Sequence, residues 1–221
     1  MNVTERRAPG TGWEQTALRI LTYPANLALA GAAGFILALP VVTAVPAVLA
    51  VARSLDGWMR EDSTTVFTST FREFAATWRR TLPFGILSVV VVGLLAFDAW
   101  FLWAQVASGT SGLAIAVGGA SIPVAVSVVV ILLVLPVAVC RNRDGTMKQW
   151  LAEAGFLAIT HPVQTTVQLI LAAVVLATLG LVPSMLPFFG ISLPVYLVLS
   201  GFAGSAPPSS RSASGTPGDA A

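Results

Sequence analysis

Charged side chains are what this sequence has least of. They make up 10% of 221 residues, against roughly 25% in a soluble domain, too few to coat a globule of this size. Cysteine occurs once, at Cys140, which excludes an intrachain disulfide and a cysteine-based metal cluster. Histidine also occurs once, at His161, with no second His, Cys or carboxylate at metal spacing, so no metal or other cofactor is expected. The formal net charge of +2 carries little meaning until it is divided among segments, and no nucleic-acid partner is expected.

What the chain has instead is hydrophobic length. From Arg80 to Arg141 the only charge is Asp98, and hydrophobic residues make up 56% of the whole. The apolar runs are continuous rather than alternating and each reaches roughly 20 residues, the requirement of a membrane-crossing helix rather than a barrel strand. The fold class expected is therefore all-α, a polytopic transmembrane bundle in which the helices satisfy their own backbone groups. Five spans are expected, at about 25–51, 82–103, 113–139, 163–182 and 185–202, within a helical domain over 25–203. Residues 1–24 read as a polar and interfacial segment, and 204–221, rich in Ser, Gly, Ala and Pro, as a disordered tail. The first apolar run exceeds the usual signal-peptide core, so a retained span is expected rather than a cleaved leader.

Loop charges orient the bundle. Arg53, Arg60, Arg72, Arg79 and Arg80 lie between the first and second spans, and Arg141, Arg143 and Lys148 between the third and fourth, whereas Ala104–Gly112 holds no basic residue. Both basic loops and the carboxyl tail should then be cytoplasmic in a bacterial plasma membrane. The amino terminus, with its arginines, would lie outside if the first run crosses once. Pro40 and Pro46 could instead break that run into a re-entrant pair of half-helices, returning the terminus to the cytoplasm. A single kinked crossing is preferred, because lipid-exposed broken helices need burial by neighbours and only four other helices are available to supply it.

Several residues stand out against this background. Pro40 and Pro46 each remove a backbone donor, and the Thr43 hydroxyl can bond back to a freed carbonyl, which predicts a kink. Ala28, Ala30, Ala32 and Gly34 offer small-residue pairs for close helix contact. Phe67, Phe71, Phe74 and Trp78 share one face over about 66–80, which predicts an amphipathic helix lying on the inner leaflet with its arginines near anionic head groups. Asp98 is the one ionisable group within a span, yet it stands about 27 Å along the helix from Arg80, beside Trp100 and Trp103, at the expected outer interface.

The run from Asn26 through Leu39, Pro40, Val41, Val42, Thr43, Pro46, Ala47 and Ala50, then Arg60, Glu61 and Asp62, then Phe67, Phe71 and Phe74 resembles the front half of the YesL-like family of bacterial membrane proteins. That family is of unknown function, and the likeness extends by hydropathy to about Phe202. The sequence MREDS departs from the glycine more often found before the acidic residue. The resemblance implies a role linked by association to carbohydrate uptake, and no family catalytic residue exists to carry over.

Spans with one Asp cannot assemble a nucleophile and base, paired acids or a metal site, so an enzyme is not expected. Absent midplane carboxylates and histidines count against an ion-driven carrier. Glu153, Ala154 and Gly155 only poorly match the cytoplasmic loop of binding-protein-dependent permeases, with Ile159 where a glycine belongs. Two readings remain. One is a non-enzymatic accessory or assembly factor, with the bilayer and a sugar ABC transporter as partners. The other is a transporter acting as a homo-oligomer, for which the fourth span supplies Gln164, Thr165, Gln168 and Thr178.

Overall fold

A computed structural model describes residues 12–61, 65–107, 109 and 112–203, and in that region the chain is helical apart from short connections. The helices are α1 (Gly12–Ala38), α2 (Ala44–Glu61), α3 (Val66–Ala107), α4 (Gly112–Arg141), α5 (Met147–Thr160), α6 (Pro162–Leu181), α7 (Leu186–Phe189) and α8 (Ser192–Ala203). Five of them are long and apolar enough to cross a membrane, namely α1, α2, α3, α4 and α6, and the pair flanking Gly190 passes that test jointly although bent by 49°.

The bundle is organised around α2. This helix touches α1, α3, α4 and α8, and every residue from Leu49 to Asp56 is buried. The other candidate spans are far more open, as suits segments whose second neighbour is lipid. The core joins Leu49, Val51 and Leu55 of α2 to Val134, Leu135 and Val139 of α4, and to Val198 and Phe202 of α8.

The expected single crossing at 25–51 is not what forms. The chain leaves α1 at Ala38, makes a short 3₁₀ turn over Val41–Thr43 and reverses into α2. Tyr23 near the start of α1 meets Trp58 near the end of α2 with ring centroids 5.0 Å apart, so the two helices are antiparallel. The cause is local. Pro40 takes an extended conformation, φ −76 and ψ 103, and cannot donate a backbone hydrogen bond. The Thr43 hydroxyl lies 2.6 Å from both the Leu37 and Pro40 carbonyl oxygens, closing the end of α1. Pro46 falls in the first turn of α2, where a missing N–H costs nothing. The back-bonding role expected of Thr43 is therefore present, but it serves a reversal and not a kink.

A second difference concerns the stretch 66–80. It is not a separate helix on the membrane surface but the first part of α3, which continues through Pro83 to Ala107. Its protein-facing side is Val66, Thr70, Thr81, Gly85 and Ser88, whereas Phe67 is exposed and Phe71, Phe74 and Trp78 are half-buried. The small and hydroxyl side is turned inward because it lets α2 approach closely.

The third and fourth expected spans match α4 and α6 to within two residues at each end. The fifth is interrupted at Gly190, beside which α1 packs through Gly31 and Gly34. A Cβ at Gly31 would overlap the Phe188 carbonyl, and one at Gly34 would stand 2.6 Å from Val51 Cγ2. The basic segment expected as a loop between the third and fourth spans contains α5, which Thr146 starts by donating its backbone N–H to Gln149 Oε1 at 2.7 Å. Of the segment 1–24 expected to be polar and interfacial, residues 12–24 belong to α1, and the rest, like the tail after 203 expected to be disordered, lies outside the described residues.

Candidate functional site

Three polar features interrupt the apolar bundle. The first is a charged clasp at the end of the bundle where α2 finishes. Arg53, 7% exposed, approaches Glu73 of α3 at 3.8 Å, donates from Nη2 to the Arg143 carbonyl at 2.8 Å, and lies over the Trp150 ring at 5.5 Å. One turn on, Asp56 accepts from Arg60 Nε at 2.8 Å and from Arg143 Nη2 at 3.4 Å. Trp150 in turn donates its indole N–H to the Asn142 carbonyl at 2.7 Å. Gly145 is required in that loop, since a Cβ there would stand 2.6 Å from Trp150 Nε1. The clasp thus ties α2 to α3 and to the α4–α5 connection, with Ser54 adding a bond to the Val66 carbonyl at 3.0 Å. Arg53 Nε alone of its nitrogens is buried without a partner.

The second feature is the hairpin tip, where the expected residues Pro40, Thr43 and Pro46 come together against α3. A Cβ at Gly85 would overlap the Val42 carbonyl and stand 3.1 Å from Pro46 Cδ. Leu39 and Val41 at the tip are nonetheless about two-thirds exposed, an apolar surface suited to hydrocarbon.

The third is a seam between α6 and α8. Gln164 donates to the Gly201 carbonyl, and His161 stands edge-on to Phe202 with centroids 6.3 Å apart. Thr165 and Gln168 are buried on this seam, and Thr165 Oγ1 and Gln168 Oε1 have no partner. Of the polar stripe seen in the sequence, Gln164 is thus spent on helix contact, Gln164 and Gln168 also line a recess with Thr160 and His161, and Thr178 is exposed with its hydroxyl returned to the Val174 carbonyl.

The remaining expected residues are scattered. Asn26 is buried on the inner side of α1, and Asp98 is half-buried on α3 five residues before the exposed Trp103. Phe67 and Phe71 pair with ring centroids 5.2 Å apart on the first turns of α3. Sequence reading missed Arg53, Asp56 and Glu73 as site residues because it placed them in loops or on a membrane surface. The signal was there in Asp56 and Arg60, four apart and oppositely charged as on a helix. No group of three metal-ligating side chains occurs among the described residues.

Fold and polar features together define an all-helical integral membrane protein whose buried charges join helices. A family described as "Protein of unknown function, DUF624" matches residues 22–99, which span the hairpin and α3 as far as Ala99. That stretch holds the tip and the α2 charges of the clasp, Arg53, Asp56 and Arg60, together with Glu73. No curated protein and no solved structure matches the chain.

Proposed function

We propose that the protein is a non-enzymatic accessory or assembly factor of a carbohydrate-uptake system, anchored in the bacterial plasma membrane. The observation that carries the non-transporting part is the chemistry of the interhelical clefts. Those between α4, α6 and α8 and between α3 and α4 are lined almost wholly by aliphatic side chains, whereas a hydroxyl-rich solute needs a path of hydrogen-bonding groups. The clasp supports the same reading, because Arg53, Asp56 and Glu73 pair within the chain and not with a cavity. The carbohydrate connection comes from the YesL-like resemblance. A transporter built from several copies is the alternative, and the recess at the start of α6 lined by Thr160, His161, Gln164 and Gln168 is the observation that favours it.

The positive-inside rule puts the clasp end in the cytoplasm, since it gathers Arg53, Arg60 and Arg143. The hairpin then returns the amino terminus to that side and stops short of the far one: it meets α3 at Gly85, beyond which α3 continues for about 33 Å to Ala107. α3, α4, α6 and the α7–α8 pair cross, and both ends of the chain are cytoplasmic. Affinity purification of the tagged protein from its native membranes in mild detergent tests the function. Reproducible recovery of a sugar permease or its ATPase is the expected result; recovery of the protein alone, or with copies of itself, would favour the transporter.

A further inference from the structure

Beside the clasp, where α2 ends, a recess is lined by Tyr23 of α1, by Trp58, Met59 and Arg60 of α2, and by Tyr196 of α8. Trp58 is 5% exposed, yet its indole N–H has no hydrogen-bond partner among the described residues, and neither do the Tyr23 and Tyr196 hydroxyls. All three groups can donate, and no carboxylate stands in the described lining. We propose that this recess binds a phosphate group.

Charge supports that choice. The clasp sets three arginines, Arg53, Arg60 and Arg143, against two carboxylates, Asp56 and Glu73, and so keeps one positive charge in excess. Arg60 is the most open of the three, its side chain 66% exposed against 49% for Arg143 and 8% for Arg53. Asp56 engages its Nε, which leaves both terminal nitrogens for a ligand. A guanidinium with spare donors, joined by three neutral donors, fits an oxyanion. A carboxylate offers two oxygens in one plane, whereas a phosphate presents its oxygens tetrahedrally and can meet groups converging from α1, α2 and α8. Arg60 stands about 25 Å along α2 from Thr43 at the apolar tip, so with the tip in hydrocarbon the recess lies at head-group level, where Trp and Tyr also settle. The phosphate can therefore belong to an anionic phospholipid or arrive from solution.

The test uses the full chain in mild detergent, stripped of co-purified lipid. Phosphatidylglycerol bound per chain is counted by native mass spectrometry, and inorganic phosphate binding is followed by calorimetry. Wild type should bind at least one of the two saturably. Trp58→Phe and Tyr196→Phe each keep a ring and remove one donor, and each should weaken that binding about tenfold. Tyr196→Phe, at the less enclosed position, guards against misfolding of Trp58→Phe. Arg72→Gln removes an exposed charge on α3 outside the recess and should leave binding unchanged. Saturable phosphatidylglycerol binding that inorganic phosphate fails to displace identifies a lipid site. Binding of inorganic phosphate alone, with the same losses in the two variants, identifies a site for soluble phosphate. No saturable binding of either probe to a wild type that melts cooperatively would overturn the proposal, as would equal binding by wild type and both variants. So would an equal loss in Arg72→Gln, the mark of diffuse attraction to a basic surface.

Discussion

Removing Arg53 should loosen the whole charged end of the bundle. In Arg53→Met the aliphatic stem is kept, but the bond to the Arg143 carbonyl, the contact with Trp150 and the pairing with Glu73 are lost. Breaking a buried ion pair from one side costs roughly 3–5 kcal/mol, because the remaining charge is stranded. Here the lower end applies: the Glu73 side chain is 25% exposed and can rehydrate, and the 3.8 Å separation is long for a strong pair. A loss of about 3 kcal/mol corresponds to a melting temperature lower by roughly 6–12 °C for a chain of this size. The assay is thermal unfolding in mild detergent followed by circular dichroism, with Glu73→Gln and the double variant completing a cycle. Glu73→Gln alone should cost less, since Arg53 keeps its carbonyl and ring partners. The double variant should cost less than the two singles together by about 1 kcal/mol, the signature of a direct interaction. A shift under 2 °C for Arg53→Met, or strict additivity in the cycle, would refute the claim that the clasp joins α2 to α3.

The hairpin makes two further predictions. Gly85→Leu should strongly destabilise the protein, because its side chain has to displace the Val42 carbonyl and Pro46, whereas Gly93→Leu, with nothing within 4 Å, should melt like wild type. Thr43→Val should cost about 1–2 kcal/mol by leaving the Leu37 and Pro40 carbonyls without the hydroxyl, and Thr43→Ser should restore most of it; equal melting of all three would dismiss the cap. Topology is checked by fusions ahead of Gly12: green fluorescent protein should fluoresce and alkaline phosphatase should be inactive, and the reverse pattern would restore the single crossing. Finally, Phe71→Ser combined with Phe74→Ser should leave residues 66–80 as protected from protease as in wild type, because the opposite side of α3 is held by Val66, Thr70 and Thr81.

The helical membrane class and the extents of α4 and α6 were legible in the sequence because hydropathy over a 20-residue window reports a solvent, and the solvent dictates the helix. The reversal at Pro40 was not. A proline in an apolar run is equally consistent with a kink and a turn, and the choice rests on Thr43 reaching Leu37 and on Gly85 lying where the tip arrives, a contact about 40 residues away in sequence. The continuity of α3 was hidden for a related reason. The aromatic spacing at Phe67, Phe71, Phe74 and Trp78 gave a correct helix but a wrong partner, since periodicity reveals a face and not what covers it. Of the candidate residues, Pro40, Thr43 and Pro46 converge as a unit, while the clasp stayed out of sight because Asp56 and Arg143 are 87 positions apart.

That separation sets an order of events during synthesis. Arg53 and Asp56 sit on the most enclosed helix, yet Arg143 and Trp150 leave the ribosome about 90 residues later, a delay of roughly 5–18 s at 5–20 residues per second. Over that interval Arg53 and Asp56 have Glu73 and Arg60 but lack Arg143 and Trp150, and α2 lacks the walls supplied by α4 and α8. The nascent hairpin must therefore wait at the membrane surface or in the care of the insertion machinery, and it can settle into its final place only once the second half of the chain has arrived to enclose it.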